Sequence, residues 1–574
     1  MSEQAVPQWA KHYDHDAPTE FNFVPCNLQD YLVEAAQTAG KTLAVQFHNF
    51  KITYEKLNEK AENVAAAFRD LGIEKGDRIA IMLPNLPQTV IAFWGAIKAG
   101  AIVVMTNPLY MEKELTHHFN DSKPKILVTL DLFWSKIEPL KEALGVEKFI
   151  ITRTSEALAF PLNILQTLKA KRSHEFIKIP FGKNILPWKK LLNNKDRYIA
   201  PDSAPKNTIA LLQYTGGTTG FSKGAMLTHA NLTIQIQQLL EVLHTKEHPM
   251  EHLFIGVMPF FHVFGLVGCL ILPTVLKSPT IPVPRYVPAD LLEIIRKYRP
   301  TFFCGAPAIY ISLMQQKKIK EVDMTCIQFC ISGSSPFPLA SLKRFQDITK
   351  AKITEGLGLT EASPVVSANP LFGMQKAGSI GMAIPGTELK IVDPEDGVTE
   401  YGNNEPGELL VKGPQVMLGY WNHPEETANS IRDGWLYTGD IAYRDDDGYH
   451  FIVDRKKDMA IVGGYNVYPS EIDEVLYEYP KIHEAVSLSI PHRSKGEILK
   501  AYIVPKPGEK VSAAEIMAFC REKLASYKVP RMIEIREELP KSMVGKILRR
   551  ALRDEEEKKL QAEKEKEEKS ADPK

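Results

Sequence analysis

The chain reads Tyr214-Thr-Gly-Gly-Thr-Thr-Gly-Phe-Ser-Lys-Gly224, a run that contains four glycines, three threonines, one serine and one lysine. Glycine lets successive backbone N–H groups turn toward an anion without a Cβ in the way. Such a concave set of amides binds phosphate oxygens, and neighbouring hydroxyl and ammonium groups strengthen the binding. The run therefore predicts a phosphate-binding loop.

The flanks of this loop predict a strand before it and a helix after it. Residues Thr208–Gln213 are an apolar run typical of a short strand, and Ala225–Leu240 has a helical pattern. Phosphate loops commonly lie between a strand and a helix. A Walker A motif needs Gly-Lys-Ser/Thr in that order, whereas Lys223 follows Ser222 here. A flexible polar linker is the alternative, but a linker needs neither Lys223 nor an adjoining apolar strand.

Length and composition indicate a globular protein with several domains. The chain has 574 residues, of which 44% are hydrophobic and 24% charged, and its formal net charge is zero. A nucleic-acid partner is not expected, because it would call for a basic excess or patch. The six cysteines are scattered and form no CxxC pair, which predicts reduced structural thiols in a reducing compartment.

The sequence shows no secretory signal and no membrane span. The N-terminus is polar and lacks an apolar core segment. The most apolar stretch, Val263–Leu276, has 14 residues and contains Pro273, whereas about 20 apolar residues are needed to cross a bilayer. We expect a cytoplasmic protein that is at most peripheral at the inner face of the membrane.

Helical and strand patterns alternate in the first third of the chain, which implies parallel sheets covered on both faces. The predicted elements are a helix at Tyr54–Leu71 capped by Thr53, a strand at Arg78–Leu83, a helix at Val90–Ala99 and a strand at Ala101–Met105. Between residues 386 and 453 the pattern changes to short strands with turns, and a smaller α/β unit follows the charged run Asp454–Asp458.

Residues 157–188 interrupt this pattern with lysines and arginines mixed among aliphatic and aromatic residues. Two interpretations stay open. A surface insertion is favoured because no clean amphipathic helix emerges, and the alternative is a basic, partly apolar patch that rests on an anionic membrane surface.

The loop at residues 214–224 resembles the signature Tyr-Thr-Ser/Gly-Gly-Thr-Thr-Gly-x-x-Lys-Gly of the adenylate-forming ligases. This superfamily comprises AMP-forming acyl-CoA synthetases, aryl-CoA ligases and luciferases. The resemblance extends in the same motif order from about Asn27 to Ala551. The further matching segments are Met258–Gly265, Gly356–Glu361, Leu436–Ile441, Asp454–Asp458, Gly463–Ile472 and Lys541–Ile547.

The resemblance implies a site for ATP and Mg²⁺. Its predicted ATP contacts are Thr215, Gly216, Gly217, Thr218, Thr219, Gly220, Lys223, Gly333, Ser334, Leu357, Thr360, Asp440 and Arg455. Glu361 and Thr215 are expected to hold Mg²⁺, which prefers carboxylate and phosphate oxygens. Asp440 is expected to accept from the ribose hydroxyls, and Arg455 to contact ribose or phosphate oxygens.

Leu357 departs from the family pattern, which usually has a tyrosine that packs on adenine. Leucine still offers the base an apolar face but loses aromatic stacking, which is worth about 0.5–1.5 kcal/mol between rings. We therefore expect weaker ATP binding rather than lost activity.

Two residues are expected to act directly beside the acid substrate. Lys546 lies in a Pro-x-x-x-x-Gly-Lys pattern with Pro540, and the resemblance places it at the reacting carboxylate and the α-phosphate. A positively charged side chain is expected there because it stabilises two anions that are brought together. His262 is expected to position or gate the acyl group, although a core histidine bonded to the backbone is an open alternative.

The resemblance also implies a moving C-terminal domain. Lys457 lies at the family's hinge position, and Gly463 and Gly464 are expected to line the passage for the pantetheine arm of CoA, since glycine leaves room. The predicted α/β architecture has an N-terminal adenylation domain of parallel sheets (1–454, with a β-barrel-like subdomain at 385–454), a hinge (455–457) and a small mobile α+β domain (458–552). The charged tail (553–574) is expected to be a frayed helix or disordered.

These features predict ATP-dependent activation of a fatty acid to acyl-AMP, followed by transfer to CoA. The segments Val411–Trp421 and Val453–Met459 look most like those of bacterial long-chain fatty acid–CoA ligases. An aryl-CoA ligase, a ligase that loads a carrier protein, and a non-catalytic acyl or nucleotide binder remain alternatives. The sequence gives no oligomeric state.

Overall fold

The structure of the chain is a computed structural model. It describes residues 11–12, 21–173, 176–194, 196, 198–201, 204–215, 222–243, 252–335, 337–462, 465–492, 496–542 and 546–571. The chain divides into two compact units. The first comprises Met1–Glu388 and Val411–Leu436, and the second comprises Leu389–Leu410 and Tyr437–Lys574.

A seven-stranded sheet carries the predicted phosphate loop in the first unit. In spatial order its strands are Ile185–Pro187, Lys148–Thr152, Ile126–Leu130, Arg78–Met82, Ile102–Met105, Ile209–Tyr214 and Gly224–Thr228. All neighbouring pairs are parallel except the last, which is antiparallel. Its central strands are buried along nearly their whole length, as expected for strands covered on both faces.

A nine-stranded sheet carries the other predicted nucleotide contacts of this unit. In spatial order its strands are Met382–Ala383, Val365–Ala368, Lys352–Gly358, Phe329–Ser332, Phe302–Gly305, Phe254–Gly256, Thr280–Pro282, Leu43–Phe47 and Phe50–Thr53. The inner strands pair in parallel, and antiparallel pairing occurs only toward the two edges of these described strands.

Helices cover these sheets and confirm the predicted alternation. The α-helices of this unit are Leu28–Thr38, Tyr54–Asp70, Pro87–Ala99, Glu112–Ser122, Trp134–Ile137, Leu162–Arg172, Trp188–Leu192, His229–Val242, Val263–Leu266, Leu272–Val275, Pro288–Tyr298, Pro307–Met314, Leu339–Thr349 and Pro424–Ser430. The Thr53 hydroxyl caps the helix at Tyr54 by accepting from Lys56 N–H at 3.4 Å. Gly100, with φ of 80°, ends the helix that the sequence predicted at Val90–Ala99.

The helix predicted at Ala225–Leu240 is wrong over its first residues. Gly224–Thr228 is a strand that pairs antiparallel with Ile209–Tyr214, and the helix begins at His229. Thr228 and Asn231 set this start, because the Thr228 hydroxyl accepts from Asn231 N–H at 3.0 Å and the Asn231 side chain accepts from Thr228 N–H at 2.9 Å. The phosphate loop therefore joins two strands.

Most of the β-rich segment and the whole C-terminal domain belong to the second unit, whereas the strand Ile431–Arg432 belongs to the first. The strands Glu388–Val392, Gly407–Lys412, Trp435–Arg444, Ile431–Arg432 and His450–Arg455 lie in one five-stranded sheet. A second five-stranded sheet contains Tyr465–Val467, Ala460–Val462, Gly496–Pro505, Ile482–His492 and Met532–Ile535, with helices Pro469–Tyr477, Ala513–Lys523 and Arg549–Ala571.

The charged tail is helical as far as Ala571, which agrees with the helical alternative of the prediction. Leu552 is fully buried at the start of this helix. Glu555 and Glu556 form ion pairs with Arg536 at 2.6 Å and Lys500 at 2.9 Å. Among the described helices of the whole chain, none is both long and apolar enough to cross a membrane.

Candidate active site

The two ends of the predicted phosphate loop are close together. Thr215 N–H donates to the Lys223 carbonyl oxygen at 3.0 Å. A Cβ at Gly224 would lie 3.0 Å from Cζ of Tyr214, so a larger residue there would press against the tyrosine ring. Residues 216–221 lie outside the described residues. The predicted phosphate contacts Gly216, Gly217, Thr218, Thr219 and Gly220 therefore stay predictions.

One aromatic side chain, Tyr420, joins Lys223 to Glu361. The Tyr420 hydroxyl donates to Oε1 of Glu361 at 2.8 Å, and Nζ of Lys223 lies 5.4 Å from the centroid of the Tyr420 ring. Lys223 also lies 3.7 Å from a carboxylate oxygen of Glu426. The structure thus brings together the loop lysine and the carboxylate predicted to hold Mg²⁺, although 137 residues separate them in sequence.

Backbone hydrogen bonds fix this arrangement. Trp421 N–H donates to the Gly224 carbonyl at 2.8 Å, and Met226 N–H donates to the Gly419 carbonyl at 2.9 Å. Met417 N–H donates to the Glu361 carbonyl at 2.8 Å. The segment at 417–421 therefore runs between the end of the phosphate loop and Glu361, which places Tyr420 between them.

Tyr420 was not among the predicted site residues, although it lies in the segment Val411–Trp421 that carries part of the family resemblance. Burial, and then the charge of Glu361, raise the pKa of Tyr420, so its hydroxyl stays protonated and donates to the carboxylate. We interpret it as a positioning residue for Glu361.

Replacing Tyr420 by phenylalanine is expected to weaken use of MgATP while leaving the fold intact. Loss of one hydrogen bond to a carboxylate corresponds to roughly 1.5–3 kcal/mol at most, so we expect kcat/KM for MgATP to fall about ten- to a hundredfold. Steady-state pyrophosphate release against MgATP concentration measures this. Tyr286→Phe, which also removes a half-buried hydroxyl, is the control. Equal kinetics in Tyr420→Phe and the native chain would contradict the assignment.

Four more of the predicted ATP contacts lie on or directly after neighbouring strands of the nine-stranded sheet, and Leu357 is the one expected at adenine. Leu357 is half-buried on the strand Lys352–Gly358, opposite Ser367. Gly333 and Ser334 follow the adjacent strand, and Ser334 has a φ of 75°. A Cβ on Gly333 would contact the ring of Phe264 at 3.7 Å. Thr360 is also half-buried, in the helical turn that begins after this strand and contains Glu361.

His262 caps the helix that begins at Val263. Nδ1 of His262 accepts from Phe264 N–H at 3.3 Å, and His262 is half-exposed. This contact matches the alternative of a histidine bonded to the backbone, and the positioning role stays a prediction. The residues that follow His262 are apolar: Phe264 is half-exposed, whereas four later ones are fully buried. Those are Leu266, Val267, Leu270 and Ile271.

Glu355 is a second residue that sequence reasoning missed. It lies on the same strand as Leu357, and its Oε1 accepts from Phe337 N–H at 3.1 Å. This bond ties the strand to the turn that begins at Gly333. Burial raises the pKa of Glu355 to about 7.

This pKa predicts that the protein loses stability as pH rises from acidic to neutral values. The folded chain keeps a proton on Glu355 that the unfolded chain releases near pH 4.5, so stability falls as pH rises from about 4.5 to about 7. Glu355→Gln keeps the acceptor oxygen and removes the ionisation. We expect it to be more stable by about 1–3 kcal/mol at pH 8 and nearly neutral at pH 4.5. Thermal unfolding across this range checks it, with exposed Glu321→Gln as control. A pH-independent difference would contradict the account.

In the second unit, Asp440 and Arg455 are directly paired. They are cross-strand neighbours, and Nε of Arg455 lies 2.5 Å from Oδ1 of buried Asp440. Lys456, the next residue, pairs with Glu408 at 2.8 Å. The two residues predicted for ribose and phosphate therefore meet in one place.

Lys546 belongs to the same charge cluster. The residue is exposed as a whole, but its ammonium group lies among many protein atoms. This desolvation, with the charges of Arg455 and Arg549, lowers its pKa against the opposing effect of Asp440. Desolvation and neighbouring cations, Lys546 among them, also lower the pKa of Lys457 to about 8. The structure thus groups Lys546 with Asp440 and Arg455.

Carboxylates on both sides of Lys457 are clamped to the C-terminal helix. Arg549 lies 3.1 Å from Asp454, and Arg553 lies 2.6 Å from Asp458. The other Asp454 oxygen accepts from Ser470 N–H at 2.8 Å. Burial raises the pKa of Asp458, but Arg553 and Arg549 outweigh it and hold that pKa below its usual value. The predicted hinge is therefore bridged by charge-assisted contacts.

The residues present fit the predicted magnesium and CoA roles in part. The Glu361 carboxylate and the Thr215 hydroxyl are oxygen ligands of the kind that suit Mg²⁺, which takes one or two protein ligands beside substrate phosphates. Among the described residues, no group of three or more His, Cys, Asp or Glu forms a metal cage. Gly463 and Gly464 lie outside the described residues, so their role in the CoA passage stays a prediction.

Comparison with known proteins assigns this site to a class. A profile described as "AMP-binding enzyme" matches residues 32–421, and one described as "AMP-binding enzyme C-terminal domain" matches residues 471–546. The chain belongs to the AMP-binding enzyme family.

Its similar relatives include curated long-chain-fatty-acid–CoA ligases. One from Bacillus subtilis is 42% identical over 557 residues, which cover 96% of this chain and 99% of the relative. One from Escherichia coli O157:H7 is 38% identical over 556 residues, which cover 95% and 98%. The crystal structure of the anthranilate CoA ligase AuaEII in complex with anthranoyl-AMP has a TM-score of 0.81 at 26% identity, over 94% of this chain and 98% of that one.

Proposed function

We propose that this protein is a long-chain fatty acid–CoA ligase that forms AMP. The observation that carries the proposal is the grouping of Lys546 with Asp440 and Arg455 in one charge cluster. Relatives named for this activity match nearly the whole chain, and they support a long-chain acid as the substrate.

In the first step, a carboxylate oxygen of the fatty acid attacks the α-phosphorus of ATP, and pyrophosphate leaves with the electrons of the broken bond. Asp440 accepts hydrogen bonds from the ribose, and Lys546 places its positive charge where the two anions meet. Lys223 and the amides of the predicted phosphate loop are proposed to bind the departing phosphates. When bound, Mg²⁺ neutralises phosphate charge, and Glu361, positioned by Tyr420, is the protein group that would hold it.

In the second step, the CoA thiolate attacks the acyl carbon of the acyl-AMP, and AMP leaves with one oxygen of the original carboxylate. We propose that rotation of the C-terminal domain about Lys457 changes the groups presented to the substrate. Gly463 and Gly464 then line the CoA passage. Closure excludes water and so protects the mixed anhydride from hydrolysis.

Phe264, beside Gly333, is proposed to face the acyl chain. The runner-up is an aryl-CoA ligase, favoured by the likeness to the anthranilate ligase. We propose a cytoplasmic protein with fatty acid, ATP and CoA as its small-molecule substrates, peripheral contact with the inner face of the membrane, and no nucleic-acid partner.

Product analysis with hexadecanoate tests the proposed reaction. We expect acyl-CoA, AMP and pyrophosphate in equal amounts, and heavy oxygen from a labelled carboxylate in the phosphate of AMP. The same assay with benzoate is the comparison. ADP as product, or label that stays out of AMP, would overturn the proposal.

A further inference from the structure

The helix Leu162–Arg172 in the first unit turns its apolar side chains toward solvent. None of its residues is buried. At 3.6 residues per turn, the exposed aliphatic side chains share one half of the helix. Their exposed fractions are 39% for Leu162, 50% for Ile164, 56% for Leu165 and 48% for Leu168. A helix on a water-exposed surface normally has the opposite arrangement, with polar side chains outward.

The protected half of this helix is polar instead. The less exposed residues are Asn163, Gln166, Thr167 and Ala170. Nε2 of Gln166 donates to the hydroxyl of Thr154 at 3.4 Å. The Asn49 side chain both donates to the Ala159 carbonyl and accepts from its N–H, each at 3.0 Å. The body of the protein therefore holds the segment with its aliphatic half facing outward.

Further exposed apolar and basic side chains lie in the same segment, residues 157–188, and together with the aliphatic half of the helix we call them the outward face. Phe160 and Phe181 are 76% and 45% exposed. Residues 157–188 contain five lysines and arginines and one glutamate. The five cations are Lys169, Lys171, Arg172, Lys178 and Lys183. Within the described part of the chain, none of these five pairs with a carboxylate.

We propose that the outward face binds the surface of an anionic phospholipid bilayer. Its aliphatic and phenylalanine side chains enter the boundary between head groups and acyl chains, and its cations lie beside the lipid phosphates. Lysine and arginine suit this position because their apolar stems follow the inserted residues while their charges stay among head groups. The apolar residues alone would admit other occupants, whereas the five cations, which have no carboxylate partner among the described residues, favour an anionic surface.

Charge also decides between a bilayer and a second copy of this chain. A symmetric dimer through the outward face would bring the same cations of both chains against each other. The anionic surface attracts the charges that the second copy would repel.

This proposal deepens the proposed function by naming the surface through which the enzyme would reach a fatty acid dissolved in a membrane. Only that purpose rests on the proposed function; the binding to a bilayer does not. Vesicle binding is measured without any substrate. A failed vesicle test and a failed ligase assay are therefore distinguishable.

Vesicle flotation of the full-length protein tests the outward face. We expect binding to vesicles of phosphatidylcholine mixed with phosphatidylglycerol, weaker binding to phosphatidylcholine alone, and loss of binding as salt rises. The triple variant Ile164→Ser, Leu165→Ser, Leu168→Ser should lower the partition coefficient about tenfold or more. The charge variant Lys169→Glu, Lys171→Glu, Arg172→Glu should do the same.

The matched control is the double variant Leu339→Ser, Val398→Ser, which removes two aliphatic side chains that are 59% and 74% exposed elsewhere. It should float like the native protein. Thermal unfolding, together with adenylation of a short, water-soluble acid, verifies that each variant is folded. Native protein that fails to float, or outward-face variants that float as well as the control, would overturn the proposal. A native dimer that the serine variant converts to monomer without vesicles would overturn it in favour of contact between copies.

Discussion

Lys546→Ala is expected to lower the rate of acyl-AMP formation about a hundred- to a thousandfold. A preorganised positive group at a developing charge is typically worth that much. The lost ammonium group belongs to the cluster with Asp440 and Arg455. Substrate binding should change far less, because the loop, Lys223 and Glu361 are untouched. Single-turnover pyrophosphate release without CoA measures the first step alone.

Lys541→Ala is the matched control for this experiment. Lys541 lies five residues earlier and pairs with Glu484, and exposed ion pairs of this kind contribute little. Its variant should release pyrophosphate at nearly the native rate. Full adenylation activity in Lys546→Ala would show that Lys546 has no catalytic role, and would reopen the alternative of an acyl or nucleotide binder.

Lys457→Pro is expected to separate the two half-reactions. Proline fixes φ and removes freedom where rotation is predicted. The structure already holds Lys546 with Asp440 and Arg455, so acyl-AMP formation should remain within about threefold of native. Thioester formation should fall about a hundredfold, because a proline at residue 457 restricts the backbone rotation that this step is proposed to need.

Lys457→Ala is the control, since it removes the charge and keeps the backbone freedom. It should transfer acyl groups to CoA at close to the native rate. Rapid-quench analysis of acyl-AMP and acyl-CoA separates the steps. If both steps fall together in the proline variant while it unfolds like the native protein, Lys457 is not a hinge. If neither falls, the rotation occurs elsewhere.

The sequence predicted most of what depends on local pattern. The alternation of strands and helices, the Thr53 cap and the strand before the phosphate loop are all confirmed. The helix start failed because Gly224–Thr228 pairs with a preceding strand, and helical periodicity carries no information on that pairing. The resemblance assigned Asp440 and Arg455 to ribose and phosphate, and the structure pairs the two residues because they lie opposite each other on adjacent strands.

What the sequence left out depends on contacts between distant residues. Tyr420 reaches Glu361 across 59 residues, and Arg549 reaches Asp454 across 95. The sequence did not decide between a surface insertion and a membrane-binding patch at residues 157–188, because these residues show no clean amphipathic pattern. Only the burial of each side chain shows which half of the helix is packed. Side-chain partners of this kind are set by tertiary packing, which local propensity does not encode.

The most direct test of the account is CoA-dependent pyrophosphate release with MgATP, measured across saturated fatty acids of increasing length and a few aryl acids. The account predicts turnover that rises with chain length, peaks at long chains and needs CoA. Turnover that is highest with aryl acids would contradict the assigned substrate class. Release that ignores CoA would indicate a carrier-protein loader, and no release with any acid would contradict the ligase assignment itself.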